Sequence, residues 1–148
     1  MNINNTIRST RTTFWLQAAI TIAAIILFET GALPKECISL TPTMQYISEV
    51  AGIMLTITLI PLAIKGFSAQ MRRAAEKEIP NFYEYFRSRC NARLSIIFAV
   101  TITNILLYYG TANNGALYCA LFGIAATIYS YPTKEALDNY KLNEEEKK

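Results

Sequence analysis

Histidine is absent from this chain, and other residue types that carry chemistry are scarce. Without histidine, the chain lacks the most common general base and a leading ligand for zinc, copper and haem. Its three cysteines, Cys37, Cys90 and Cys119, form no C-x-x-C pair and are too few for a disulfide framework. No glycine-rich phosphate loop is present. We therefore predict no catalytic residue, no bound metal and no cofactor.

Charged residues are also missing from long stretches of the chain. Residues 94–109 and 115–131 contain none, whereas residues 65–93 contain ten. The overall charged share is 17%, against about 25% in an ordinary soluble domain. A soluble domain spreads its charges because every surface element meets water. This segregation indicates that the chain sits in two solvents, hydrocarbon and water.

Four apolar segments can be read from the sequence, at residues 13–32, 46–66, 91–110 and 114–131. Each approaches the ~20 residues that a helix needs to cross a hydrocarbon core of ~30 Å. We predict an all-α, polytopic integral membrane protein, folded as one membrane domain over residues 1–148. It would be a four-transmembrane-helix antiparallel bundle, with a helical cytoplasmic middle loop at 67–90 and a cytoplasmic tail at 132–148.

The distribution of lysine and arginine predicts the orientation. Thirteen of the fourteen lie in the N-terminal arm, the middle loop and the tail, which a four-span arrangement places on one side. Only Lys35 lies on the other side. Cytoplasmic connections carry the excess of positive charge, so both termini are predicted to be cytoplasmic. The expected location is a bacterial inner (cytoplasmic) membrane.

The middle loop with its flanking residues, 65–93, contains helical signals and seven of the fourteen lysines and arginines. Residues 68–79 predict a short charged helix that Pro80 interrupts, and Asn81 with Glu84 matches a capping box that begins the next helix. Phe82, Phe86 and Cys90 recur at four-residue steps, which predicts an aromatic face on a helix continuous with the third span. Two interpretations of the loop stay open: a docking surface for anionic lipid headgroups or a partner protein, or a topological anchor. Its candidate surface residues are Arg72, Arg73, Lys77, Arg87, Arg89 and Arg93.

Polar residues within the spans are the next candidate site residues. A polar side chain in hydrocarbon is unfavourable in free energy unless it has a partner or reaches water. Glu29, Glu49 and Asn104 all fall in the outer half of their spans. The two glutamates either converge on a cation or proton site or lie separately near headgroup depth. Asn104 is expected to hydrogen-bond a neighbouring helix.

The fourth span carries the clearest packing signal. Gly115, Cys119, Gly123 and Thr127 step by four residues and form a strip of small side chains. Such strips let helix backbones approach closely, either within one chain or across a homodimer.

Our leading functional hypothesis is a non-catalytic accessory, assembly or scaffolding protein that acts through helix packing and its basic loop. Its expected partners are the lipid bilayer with its anionic headgroups, and either another membrane protein or a second copy of the chain. No binding to nucleic acid is expected. One alternative is an oligomeric small transporter or channel that uses Glu29, Glu49 and Asn104. Another is a small four-helix membrane enzyme. In size and helix count alone, the chain resembles the four-helix membrane enzymes that handle glutathione.

Overall fold

The computed structural model describes residues 3–35, 39–76, 81–133 and 135, and within those ranges the chain is all-α, as predicted. Three helices are long and apolar enough to cross a membrane, while the fourth has only 16 residues. The four helices are α1 (Ile3–Glu29), α2 (Pro42–Glu76), α3 (Phe82–Thr111) and α4 (Asn114–Tyr129).

The first three helices extend well beyond the predicted spans, all in the same direction. α1 begins before residue 13, α2 continues past residue 66, and α3 begins before residue 91. Each extension adds about ten residues, or roughly 15 Å of helix. The charged helix predicted at residues 68–79 is, as far as Glu76, the last part of α2, which Pro61 does not interrupt. Residues 77–80, with the predicted interruption at Pro80, lie outside the described residues.

The start of α3 corrects one prediction. Asn81 directly precedes the helix, but it adopts the left-handed conformation, with φ of 71°, and its side chain makes no capping hydrogen bond. A capping side chain reaches the helix amides from an extended residue, so the capping-box geometry is lost here. The backbone carbonyl of Asn81 instead accepts from the amides of Glu84 and Tyr85. Asparagine tolerates this conformation better than most residues.

Helix α3 lies at the centre of the bundle and packs against α1, α2 and α4, while α2 also packs against α4. Helix α1 packs chiefly along α3 and leaves large apolar side chains exposed, among them Trp15, Leu16 and Ile22. At one end, which we call the basic end, Arg11 near the start of α1 donates to the carbonyl of Pro132 beyond α4. At the opposite end, Glu29 of α1 meets Tyr109 of α3.

Three buried clusters follow one another along the bundle axis. The middle cluster includes Ile60, Ile97 and Ala126, and the cluster at the opposite end includes Phe28 and Ile105. The largest lies at the basic end and consists of Ile7, Phe14, Phe67, Met71, Phe86, Cys90 and Leu94. Phe86 and Cys90 are fully buried there and Phe82 is partly buried against them, which confirms the predicted aromatic face.

Candidate functional site

The helix extensions at the basic end pack into a unit with its own core. We call it the platform and define it as residues 5–14 of α1, 65–74 of α2 and 82–93 of α3. Ile7, Met71 and Phe86 contribute one core side chain from each helix and are 3%, 0% and 2% exposed. Residues outside the predicted spans are thus among the most buried in the described part of the chain. The described parts of the middle loop are helical and packed rather than a plain charged connection.

The outer surface of the platform carries exposed arginines. On α2, the buried side chains of Phe67, Met71 and Ala74 occupy one helical face, so Arg72 and Arg73 point outward. Arg87 and Arg89 of α3 are also exposed, and the guanidinium of Arg89 lies 5.1 Å from the ring centroid of Tyr85. Lys77, the remaining candidate from the loop, lies outside the described residues.

Arg93 differs from the other loop arginines because it is half-buried rather than on the open surface. Its Nη2 donates to the carbonyl of Ser130 at 2.9 Å, and its guanidinium carbon lies 4.2 Å from the ring centroid of Phe67. Arg93 thereby links α3 to α2 and to the end of α4. The sequence contained a signal for this position, because Arg93 lies three residues after Cys90 and shares its buried face.

Arg11 holds the same end of α4 from the other side. Its Nε donates to the carbonyl of Pro132 at 3.4 Å, and its guanidinium carbon lies 5.4 Å from the ring centroid of Tyr131. The rings of Phe14 and Tyr131 meet edge to face, with centroids 5.0 Å apart. Positive groups near a helix C-terminus complement the partial negative charge of its free carbonyls. No local sequence pattern connects residues 11 and 132, so this docking could not be predicted from the sequence.

Asn104 makes the predicted contact with a neighbouring helix. Its Nδ2 donates to Thr56 Oγ1 of α2 at 3.0 Å and to the carbonyl of Val100 at 2.9 Å. The other amide atom, Oδ1, is buried without a hydrogen-bond partner beside Gly52. The predicted hydrogen bond between helices is confirmed.

The two glutamates at the opposite end have different neighbours. Glu29 is exposed, accepts from the hydroxyl of Tyr109 at 2.7 Å and pairs with Lys35 at 3.0 Å. Glu49 is half-buried and lies against Gly115 of α4. Within the described ranges, no three acidic or cysteine side chains are grouped so that they could hold a metal ion.

The small-residue strip of α4 faces other helices of the same chain at both of its glycines. Gly115 lies against Glu49 of α2, and Gly123 lies so close to Thr101 of α3 that a Cβ on Gly123 would be 3.3 Å from the Thr101 Cα. Cys119 of the strip is buried, and Thr127 is half-buried. At these glycines the strip brings helices of one chain together.

Comparison with known proteins adds no relative to this description. The chain matches no protein-family model, no curated protein and no solved structure.

Proposed function

We propose that the protein is a membrane scaffold or assembly factor whose platform is the surface that binds its partner. The observation that carries this proposal is the buried core of Ile7, Met71 and Phe86 beneath exposed arginines. A topological anchor needs positive charge but no packed interior. A packed interior, in contrast, holds Arg72 and Arg87 on rigid helices, which is what a specific binding surface requires.

The proposal places four helices across the membrane. Three helices have the length and composition to cross it. If α1, α2 and α3 cross, α3 ends on the side of the membrane opposite the platform. The contact between Arg11 and Pro132 holds the end of α4 at the platform, which supports a fourth crossing by α4. Its 16 residues span about 24 Å, close to the lower limit for a span.

The charge distribution supports an inner-membrane orientation with the platform in the cytoplasm. In the sequence, all the lysines and arginines except Lys35 belong to the N-terminal arm, to residues 65–93 or to the tail. Such an excess marks the cytoplasmic side, where a leaflet of anionic lipids attracts basic segments.

Transport and catalysis remain the alternative functions, and the described geometry favours neither. Glu29 accepts a hydrogen bond from Tyr109 and pairs with Lys35. Asn104 donates hydrogen bonds to Thr56 and to the carbonyl of Val100. Both residues thus have structural partners at positions where a transporter would use them for its substrate.

The test is co-purification from gently solubilised membranes after cross-linking. A scaffold retains another membrane polypeptide at fixed stoichiometry. Arg72→Glu reverses an exposed platform charge, so we expect it to reduce that recovery at least fivefold. Lys35→Glu is the matched control, because Lys35 is an exposed basic residue at the opposite end of the bundle, outside the platform. Recovery of no polypeptide from the wild type, or equal loss in both variants, would contradict the proposal.

A further inference from the structure

A groove runs between α2 and α3 where the platform joins the spans. Its volume is about 350 Å³, within the range of ~300–1,000 Å³ that is usual for small-molecule sites. Its walls are mainly apolar, with Leu59, Leu62 and Gly66 on α2 facing Ile96 on α3, and Arg89 and Arg93 also line it. Among the described residues, no acidic side chain lines this groove.

The groove has the polarity gradient of the membrane interface. Along α2 it extends from Leu59 to Gln70, a distance of about 16 Å along the helix axis. Its deep part is aliphatic and belongs to a helix that can span the membrane, and Leu62 there is 62% exposed. The arginines lie towards the platform. An occupant must therefore combine a narrow apolar chain with a negatively charged head.

We propose that this groove binds one acyl chain of an anionic phospholipid, with the lipid phosphate at Arg89 and Arg93. Guanidinium groups bind phosphate oxygens through charge-assisted hydrogen bonds. Arg93 lines the groove, and its buried Nε has no hydrogen-bond partner among the described residues. A zwitterionic lipid would bring a positive amine towards the same two arginines, so the site favours a lipid of net negative charge. This inference rests on the membrane location in the proposed function.

The experiment is native mass spectrometry of the purified full-length protein with added phosphatidylglycerol or phosphatidylcholine of identical chains. The wild type is expected to retain one phosphatidylglycerol per chain in preference to phosphatidylcholine. Arg89→Gln should weaken retention about fivefold, the effect of one positive charge near a lipid headgroup. Arg87→Gln removes the same charge two residues away, outside the groove, and should leave retention unchanged.

A second pair of variants tests the acyl chain. Gly66→Leu fills the groove, and a Cβ at Gly66 meets nothing within 4 Å, so the fold should tolerate it. We expect this variant to lose the preference for phosphatidylglycerol. Ala69→Leu adds the same kind of bulk to an exposed position of α2 outside the groove and should retain it.

Three outcomes would overturn the inference. Equal loss in Arg87→Gln and Arg89→Gln would mean that only diffuse charge attracts the lipid. Full retention in Gly66→Leu would mean that no chain enters the groove. A photoreactive side chain at Leu62 that cross-links to a polypeptide instead of a lipid would identify a different occupant. Partner recovery with Arg72→Glu is measured separately, so failure of the scaffold proposal can be distinguished from failure of the lipid site.

Discussion

Asn104 of α3 donates a hydrogen bond to Thr56 of α2, with 3.0 Å between Nδ2 and Oγ1, deep between two helices that can span the membrane. The Thr56 hydroxyl donates in turn to the carbonyl of Gly52 at 2.8 Å. Asn104 and Thr56 are 1% and 2% exposed, so neither can exchange its partner for water. The pair therefore fixes the register between α2 and α3.

Replacing Thr56 with valine removes this hydrogen bond and keeps the side-chain shape. We expect a loss of about 1 kcal/mol in the free energy of unfolding, within the range measured for hydrogen bonds between membrane helices. The measurement is reversible unfolding in mixed micelles of increasing SDS content.

Thr103→Val is the matched control for that experiment, because Thr103 is exposed on the same helix as Asn104. A double-mutant cycle of Thr56→Val with Asn104→Ala isolates the pair. Purely additive effects would show that the two residues are not energetically coupled.

Gly123→Ala should destabilise the protein by about 1–3 kcal/mol, as overpacking does at a tight contact. Its new Cβ would meet the side chain and backbone of Thr101. Thr101→Ala removes the nearest atom and should partly rescue the variant. The same unfolding assay measures both effects.

Gly66→Ala is the control for this pair, since its Cβ enters open space and alanine is the better helix former. We expect it to be neutral or stabilising. If Gly66→Ala and Gly123→Ala were equally harmful, the close approach of α3 and α4 would not explain the second effect.

Arg93→Gln should detach the end of α4 from the platform. The substitution removes the guanidinium group that donates to the Ser130 carbonyl and lies over the Phe67 ring. We expect the free energy of unfolding to fall by about 2 kcal/mol. Limited proteolysis should cleave the segment after residue 131 faster than in the wild type. Arg87→Gln, at an exposed site, should change stability by less than about 0.5 kcal/mol.

The proposed four-crossing topology predicts where reporters fused along the chain will lie. A reporter fused after Ala112, in the turn between α3 and α4, should report the periplasm. A reporter fused after Thr133, beyond α4, should report the cytoplasm. Paired alkaline phosphatase and green fluorescent protein fusions read the two sides. Cytoplasmic fluorescence from both positions would mean that α4 does not cross.

Local sequence patterns were sufficient to identify the helices and some of their contacts. The uncharged runs predicted the apolar helices, and the four-residue steps from Phe82 to Cys90 predicted a buried face. Asn104 was recognisable because an amide among apolar residues needs a partner. The capping prediction at Asn81 failed because sequence spacing does not report a left-handed backbone.

The sequence by itself determined that apolar helices alternate with basic segments, because hydrophobicity and charge act on each segment locally. Only the tertiary structure decided that α1 begins before its apolar run, that the extensions of α1, α2 and α3 pack into one platform, and that Arg11 and Arg93 hold the end of α4. Those contacts join residues that are far apart in the chain. They depend on how the helices are placed around α3, which no periodicity within a single helix records.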